Sequence, residues 1–333
     1  MMKRAFAALL LATASASTGA AAAPATAAAD PRALGSAVAP AAANSAPVHK
    51  SAKSTNSAAA AAPAAAKPKA GARTASKQPG KTAAKSKPPA HDPKAERIVD
   101  VPGLGEVTVY AAQGEATGLA LFASGDGGWN LGVWDMAHVA SELGYRVAGF
   151  STPAFLKALE AGDGECSDAA GLLDHLATRI KAEFKLPADL HPVLIGYSSG
   201  ATVMYAALAQ AGDSRFGGAM TLGFCPDLII HKPFCEGAGL TADKQTKPPY
   251  GIVFNTVPAV SAPWVVLQGE IDQVCSPPDT VAFVGQVKNG KVVSLPKVGH
   301  GYSVPRNWMP QYRQGLQDLL DASPAPRAVG GAN

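Results

Sequence analysis

The stretch that most limits what this chain can fold into runs from His191 to Gly200, His-Pro-Val-Leu-Ile-Gly-Tyr-Ser-Ser-Gly. A short apolar run, Val193 to Ile195, leads into Gly196-Tyr197-Ser198-Ser199-Gly200, and small and apolar residues follow from Ala201 to Ala211. This reads as a strand, a sharp turn and a helix, with Ser198 at the apex. Such a turn forces its apical residue into a strained backbone conformation, typically with positive φ. The glycines two before and two after Ser198 carry no Cβ, so strand and helix can pass close together. The N-terminus of the helix then directs its free N–H groups at the serine.

The 333 residues are not uniform. Met1-Met2-Lys3-Arg4 is a basic start, and Ala5 to Ala14 is apolar. An apolar stretch of about ten residues followed by small ones reads as a secretory signal peptide, too short for a membrane span. Residues 1–23 are assigned to it, with Ala20-x-Ala22 or Ala21-x-Ala23 as the cleavage site. Residues 24–95 are Ala, Pro, Ser and Lys with almost no large apolar side chain. That composition buries too little surface to offset its ordering entropy, so a disordered linker is expected. Up to residue 95 the chain has 13 Lys or Arg and two Asp or Glu; the remainder has 16 and 23, a net of −7. A basic tail therefore precedes an acidic body. No nucleic-acid-binding motif accompanies the basic residues, and a solubilising spacer or contact with an anionic surface accounts for them.

The body, residues 96–323, fits one α/β domain, and residues 324–333 are expected to be a flexible tail. Arg97 to Val101 and Glu106 to Ala112 read as an opening hairpin around Pro102-Gly103-Leu104-Gly105. Leu119 to Ala123 is a continuous apolar run, the mark of a strand buried on both faces. Helices are expected over Val133 to Leu143, Cys166 to Phe184 and Pro310 to Leu320. Further strands are expected at Tyr145 to Phe150, Gly218 to Phe224, Trp264 to Gln268 and Lys291 to Leu295. Alternating strands and helices imply a mostly parallel sheet with helices on both faces. Between Cys225 and Ser261 lies an insertion without clear periodicity, expected to act as a lid-like element that shapes the pocket ahead of the strand bearing the acid. The four cysteines, Cys166, Cys225, Cys235 and Cys275, suggest two disulfides, with Cys225–Cys235 the most local of the pairings open to them.

In its strand–turn–helix setting, Gly-x-Ser-x-Gly is the nucleophile elbow of α/β-hydrolases. A serine hydroxyl is a weak nucleophile and needs a base oriented by a third group, here expected in the chain order Ser, acid, His. Asp272 follows the strand Trp264 to Gln268, and His300 sits in a loop after Lys291 to Leu295, between Gly299 and Gly301. Asp227 and Glu270 are the alternative acids. Of the seven histidines, His300 alone combines the required order with a loop at a strand's end. The oxyanion of the tetrahedral intermediate needs N–H donors. Ser199 supplies one, and Asp126 or Gly127 of the loop Ser124-Gly125-Asp126-Gly127-Gly128 is expected to supply the second. The Asp126 carboxylate would repel an oxyanion beside it unless the substrate brings a cation; otherwise it accepts hydrogen bonds from the turn's own amides. This chemistry requires neither a metal nor an organic cofactor.

Together Ser124-Gly125-Asp126-Gly127-Gly128-Trp129, Gly196 to Ala201, Gly269 to Cys275 and Gly299-His300 resemble the VirJ/AcvB bacterial virulence proteins, over about residues 119–320. The resemblance implies a periplasmic α/β-hydrolase with Ser198 as nucleophile and Asp272 and His300 as its partners. AcvB-type members hydrolyse lysyl-phosphatidylglycerol, and VirJ-type members are associated with type IV secretion. The implied partners are thus an ester, such as an aminoacylated phospholipid at a membrane surface, or secretion components. Asp126 and Trp129 are the candidate substrate-binding residues. Ser199 stands where many members of that family have Phe.

Overall fold

The computed structural model describes residues 90–322 except 213 and 214. The expected signal peptide, all of the linker before residue 90 and the tail 324–333 lie outside the described residues. The strands in chain order are β1 (Arg97–Val101), β2 (Gly105–Tyr110), β3 (Gly118–Ala123), β4 (Tyr145–Phe150), β5 (Val193–Tyr197), β6 (Gly218–Leu222), β7 (Asp227–Leu228), β8 (Ala242–Gln245), β9 (Gly251–Phe254), β10 (Trp264–Gly269) and β11 (Gly290–Leu295). The helices are α1 (Leu131–Glu142), α2 (Thr152–Ala161), α3 (Ala169–Glu183), α4 (Ser199–Ala211), α5 (Pro277–Val284) and α6 (Met309–Ala322).

Eight strands form one sheet in the order β1-β2-β4-β3-β5-β6-β10-β11. The opening hairpin pairs antiparallel and joins β4 antiparallel; from β4 to β11 all pairing is parallel. The central strands are buried on both faces, so they send successive residues into two separate cores. Leu119, Leu121 and Ala123 join Leu194 and Trp264 in a core with α2, α3 and α4. Ala120 and Phe122 join Val193, Ile195 and Leu267 in a second core with α1 and α6. This is why β3 and β5 read as unbroken apolar runs. Each fully buried Leu or Phe side chain contributes about 2 kcal/mol relative to exposure.

Two helices lie where the sequence reading placed none. Helix α2 is capped by the Ser151 hydroxyl, which accepts from the Ala154 amide, and buries Phe155 and Leu159, spaced i and i+4. Helix α5 begins with two prolines after Ser276 and buries Thr280 and Val284. Packing also starts upstream of Glu96. Asp92, read as linker, is buried and accepts from the Tyr110 hydroxyl at 3.0 Å and stands 2.6 Å from His138 Nε2.

The insertion folds as a three-stranded antiparallel sheet, β7-β9-β8. It is pinned to the body: the His231 amide donates to Glu160, the Val257 amide to the Tyr205 hydroxyl, and Gln210 to the carbonyls of Ser167 and Cys235. All four cysteines are paired, as Cys166–Cys235 and Cys225–Cys275. The most local pairing, Cys225–Cys235, does not form. Strands β6 and β10 are neighbours in the sheet, and their C-terminal loops carry Cys225 and Cys275 to the same edge. Among the described residues no helix is long and apolar enough to cross a membrane.

Candidate active site

The turn after β5 places Ser198 at φ 55° and ψ −125°. Holding a non-glycine residue there costs about 1–3 kcal/mol, which the surroundings must offset. They do so by close contact. A Cβ at Gly196 would stand 2.3 Å from the Gly200 carbonyl oxygen, and one at Gly200 would stand 2.2 Å from the Ser124 carbonyl oxygen. The elbow glycines thus let α4 start against the end of β3. The Ser198 amide donates to the Leu222 carbonyl at 2.9 Å, tying the elbow to β6. Eleven residues of α4 are buried, so the helix behind the serine is set in the core.

Asp272 and His300 come to Ser198 from the ends of β10 and β11. Ser198 Oγ is 2.9 Å from His300 Nε2, and His300 Nδ1 is 2.9 Å from Asp272 Oδ2. The Asp272 side chain is fully buried, and that of His300 is 18% exposed. A buried carboxylate must have its lone pairs satisfied. Here the Val274 and Cys275 amides donate to Oδ1 at 2.8 and 3.0 Å, and Gln268 Nε2 lies 3.4 Å from Oδ2. The Tyr197 hydroxyl donates to the His300 carbonyl at 2.9 Å, and its ring lies 5.8 Å from the imidazole. Burial raises the Tyr197 pKa, with the charges of Asp272 and Asp126 adding to it, so the phenol stays a donor. Gly223, at φ 61°, makes room for the imidazole, since a Cβ there would be 3.2 Å from His300 Nδ1.

The other acids weighed from the sequence lie elsewhere. Glu270 is exposed and makes no side-chain hydrogen bond to His300. Asp227 is also exposed and lines a cavity wall.

Two cavities meet at Ser198. The larger, about 420 Å³, is lined by Asp126, Gly127, Asn130, Met136, Tyr197 and His300 among others. The smaller, about 120 Å³, is lined by Asp126, Leu156, Ser199, Cys225, Asp227 and Ile229 among others. Asp126 borders both, is exposed, and makes no side-chain hydrogen bond to its own turn. That turn is closed by the Gly128 amide donating to the Gly125 carbonyl at 3.0 Å, which leaves the Asp126 and Gly127 amides outside it. Ser199 opens α4, where amides lack intrahelical acceptors. Its own Oγ is buried without a hydrogen-bond partner.

Trp129 does not line either cavity. Its indole turns inward, edge-on to Phe122 with centroids 5.3 Å apart, and occupies the space left by Gly149. The substrate contact expected of Trp129 is therefore replaced by a packing role, because the glycine of β4 opens a slot for the ring. Sequence reading missed Tyr197, Gln268 and Tyr302, which hold the histidine and acid loops; Tyr302 donates to the Leu267 carbonyl. Only Tyr197 carries a sequence signal, as the residue before Ser198 in the Gly-x-Ser-x-Gly pattern.

Asp272, Cys275 and His300 bring ligand-type atoms within 4.8 Å of one another. The sulfur is committed to a disulfide, and the other two groups bond each other, so this donor set offers no free thiolate to a metal.

No protein-family model matches the chain, and no curated protein matches it. Among solved structures it is similar to Est1E from Butyrivibrio proteoclasticus, with TM-score 0.47 and 14% identity, covering 68% of this chain and 99% of that one. It is similar to a cold-adapted esterase from an Arctic intertidal metagenomic library, with TM-score 0.47 and 17% identity, covering 70% and 99%. It is similar to dienelactone hydrolase from Anabaena variabilis, with TM-score 0.43 and 17% identity, covering 66% and 94%. It is the chain's own strand order and serine elbow that give it the α/β-hydrolase fold.

Proposed function

We propose that the chain is a serine hydrolase of carboxylic esters. The observation that carries this reading is the continuous relay from Ser198 Oγ through His300 to Asp272, with both links at 2.9 Å. In the proposed reaction Ser198 Oγ attacks the ester carbonyl while His300 Nε2 takes its proton. Asp272 holds the Nδ1 proton, so that Nε2 faces the serine as acceptor. The oxyanion is met by the amides of Ser199 and of Asp126 or Gly127. Collapse of the intermediate breaks the bond to the alcohol, which leaves with the proton from His300. Water, deprotonated by the same histidine, then attacks the acyl-enzyme and releases the acid.

For the substrate we propose an aminoacyl ester of a phospholipid, of the lysyl-phosphatidylglycerol type. Asp126 and Asp227 stand on the walls beside Ser198, and neither cavity lining contains a lysine or arginine. Carboxylates near a developing oxyanion raise the barrier unless the substrate carries compensating positive charge. An aminoacyl group brings that charge within a few bonds of the carbonyl. The resemblance to the VirJ/AcvB proteins points the same way. The two disulfides, with the signal-like N-terminus, support a periplasmic setting.

The test is labelling with a fluorophosphonate probe, followed by incubation with vesicles containing lysyl-phosphatidylglycerol. Wild type should label, Ser198→Ala should not, and free lysine should appear. Absence of labelling defeats the hydrolase reading. Labelling without lysine release leaves an esterase for other esters and defeats the lipid assignment.

A further inference from the structure

The Cys225–Cys275 disulfide lies closer to the chemistry than a stabilising cross-link needs to. Cys275 is three residues from Asp272, and its amide is one of the two that hold Asp272 Oδ1. Its carbonyl accepts from Gln268 Nε2 at 3.1 Å, and its sulfur lies 3.3 Å from the Gly223 carbonyl oxygen. Gly223 is also the residue whose missing Cβ accommodates the His300 ring. At the other end, the Cys225 carbonyl accepts from Thr202 Oγ1 at 2.7 Å. Thr202 is buried in α4, one turn after Ser198, and its amide donates to the Ser198 carbonyl at 3.3 Å. The bridge thus joins the loop after β6, held to α4 through Thr202, to the loop that carries Asp272.

That loop has little else to hold it on its outer side. Ile271 is 60% exposed and Val274 67% exposed, so the apolar residues flanking Asp272 do not dock it into a core. Its inward hold consists of the Asp272 hydrogen bonds, Gln268, the disulfide, and two backbone bonds at its start, from the Glu270 amide to the Leu295 carbonyl and from the Ile271 amide to the Val298 carbonyl. Residues that orient a catalytic group act through small displacements, because misplacement of about 1 Å can cost about 10²-fold in rate.

We infer that the Cys225–Cys275 disulfide is a positioning element for Asp272, and that opening it lowers turnover without unfolding the domain. The inference rests on the serine-hydrolase reading above. Opening takes a dithiol: one thiolate attacks a sulfur of the bridge, a mixed disulfide forms, and the second thiol closes the reagent's own disulfide. Two protein thiols remain, and the reagent is the species oxidised. Cys225 and Cys275 both border the smaller cavity at Ser198, which gives the reagent a path. The Cys166–Cys235 bridge serves as the internal comparison. It joins the loop before α3 to the insertion and borders neither cavity at Ser198.

The experiment follows hydrolysis of p-nitrophenyl acetate by four proteins: oxidised wild type, wild type after dithiothreitol, Cys225→Ser/Cys275→Ser, and Cys166→Ser/Cys235→Ser. Alkylation and mass spectrometry identify which bridge is open, and thermal melts are run in parallel. The expected result is a kcat lower by about 10–100-fold when Cys225–Cys275 is open, with KM little changed and recovery on re-oxidation. The Cys166→Ser/Cys235→Ser variant keeps its kcat while melting at a lower temperature. An unchanged kcat with the bridge verified open overturns the inference. So does a loss of kcat shared equally by both double variants, or an effect confined to KM. If the double Ser variant fails to fold, the reduced wild type and its re-oxidation decide. An oxidised wild type that neither hydrolyses the ester nor labels at Ser198 is a failure of the hydrolase reading instead.

Discussion

Tyr197 reaches from the residue before Ser198 to the loop that carries His300, donating its hydroxyl to the His300 carbonyl at 2.9 Å. The elbow and the histidine loop are 103 residues apart in sequence, and this bond joins them directly. The same ring meets Tyr302 edge-on at 5.9 Å, and Tyr302 in turn donates to the Leu267 carbonyl in β10. His300, Ser198 and the strand before Asp272 are therefore braced by phenols as well as by the Ser198–His300–Asp272 hydrogen bonds.

Tyr197→Phe keeps the ring and removes the bond. A net loss of about 1 kcal/mol in stability is expected, since the His300 carbonyl is left without this donor. The kcat should fall several-fold more than that stability change alone would suggest, because His300 gains freedom relative to Ser198. Urea unfolding and steady-state kinetics on one neutral ester measure both. Wild-type kcat with reduced stability would mean that the bond holds the fold and not the base.

Gly200→Ala places a Cβ against backbone rather than against a movable side chain, 2.2 Å from the Ser124 oxygen and 2.5 Å from the Ala123 oxygen. Either α4 or the end of β3 must shift. A destabilisation of about 1–3 kcal/mol is expected, together with loss of activity, because the shift moves the Asp126–Gly127 amides away from Ser198. The comparison is Gly132→Ala, where no atom lies within 4 Å of the added Cβ. Equal denaturation midpoints for the two variants would contradict the close approach.

The elbow was legible because close backbone passage leaves only glycine at two fixed positions, and that spacing is a sequence pattern. The order Ser198, Asp272, His300 was legible because alternating strands and helices put each strand's C-terminal loop at one edge of the sheet. The disulfide pairing was not, since it depends on β6 lying beside β10, and lateral strand order leaves no periodicity. The small sheet of the insertion was hidden for a different reason. Ala242-Asp243-Lys244-Gln245 has no apolar alternation and becomes a strand only by pairing with β9. Trp129 looked like a site residue from its place in the glycine loop, and it took Gly149, on a strand reached only after α1, to turn it inward.

Alkaline unfolding should be governed by phenols. Burial raises the pKa of Tyr110, Tyr145, Tyr197, Tyr302 and Tyr312, and pushes that of Tyr205 up to about 12. An unfolded chain releases phenolic protons near pH 10. Below that pH both states hold these protons, and the tyrosines leave stability unchanged. Above it the unfolded state ionises first, so stability falls as pH rises from about 10 towards the folded-state values. Urea midpoints between pH 9 and about 11.5 should drop with increasing slope, and phenolate absorbance should appear together with loss of structure. Reversible titration of most tyrosines near pH 10 in a still-folded protein would show that they are not held as described.

Asp126 and Asp227 test the charge of the acyl group. Both are exposed, so each interacts with a bound ammonium through a largely aqueous medium, and each should account for about fivefold in kcat/KM. Asp126→Asn and Asp227→Asn should therefore weaken hydrolysis of a lysyl ester by about that factor. They should leave an acetyl or butyryl ester unchanged or slightly faster, because a negative charge near the oxyanion has gone. Raising the salt to 1 M should shrink the difference between wild type and variants on the lysyl ester, since screening acts on exposed charges. The double variant should show roughly the product of the two effects if the carboxylates address separate positive charges, and less if they share one. Equal losses on cationic and neutral esters would mean that neither carboxylate reads positive charge on the acyl group, and the substrate would then have to be sought among esters without positive charge.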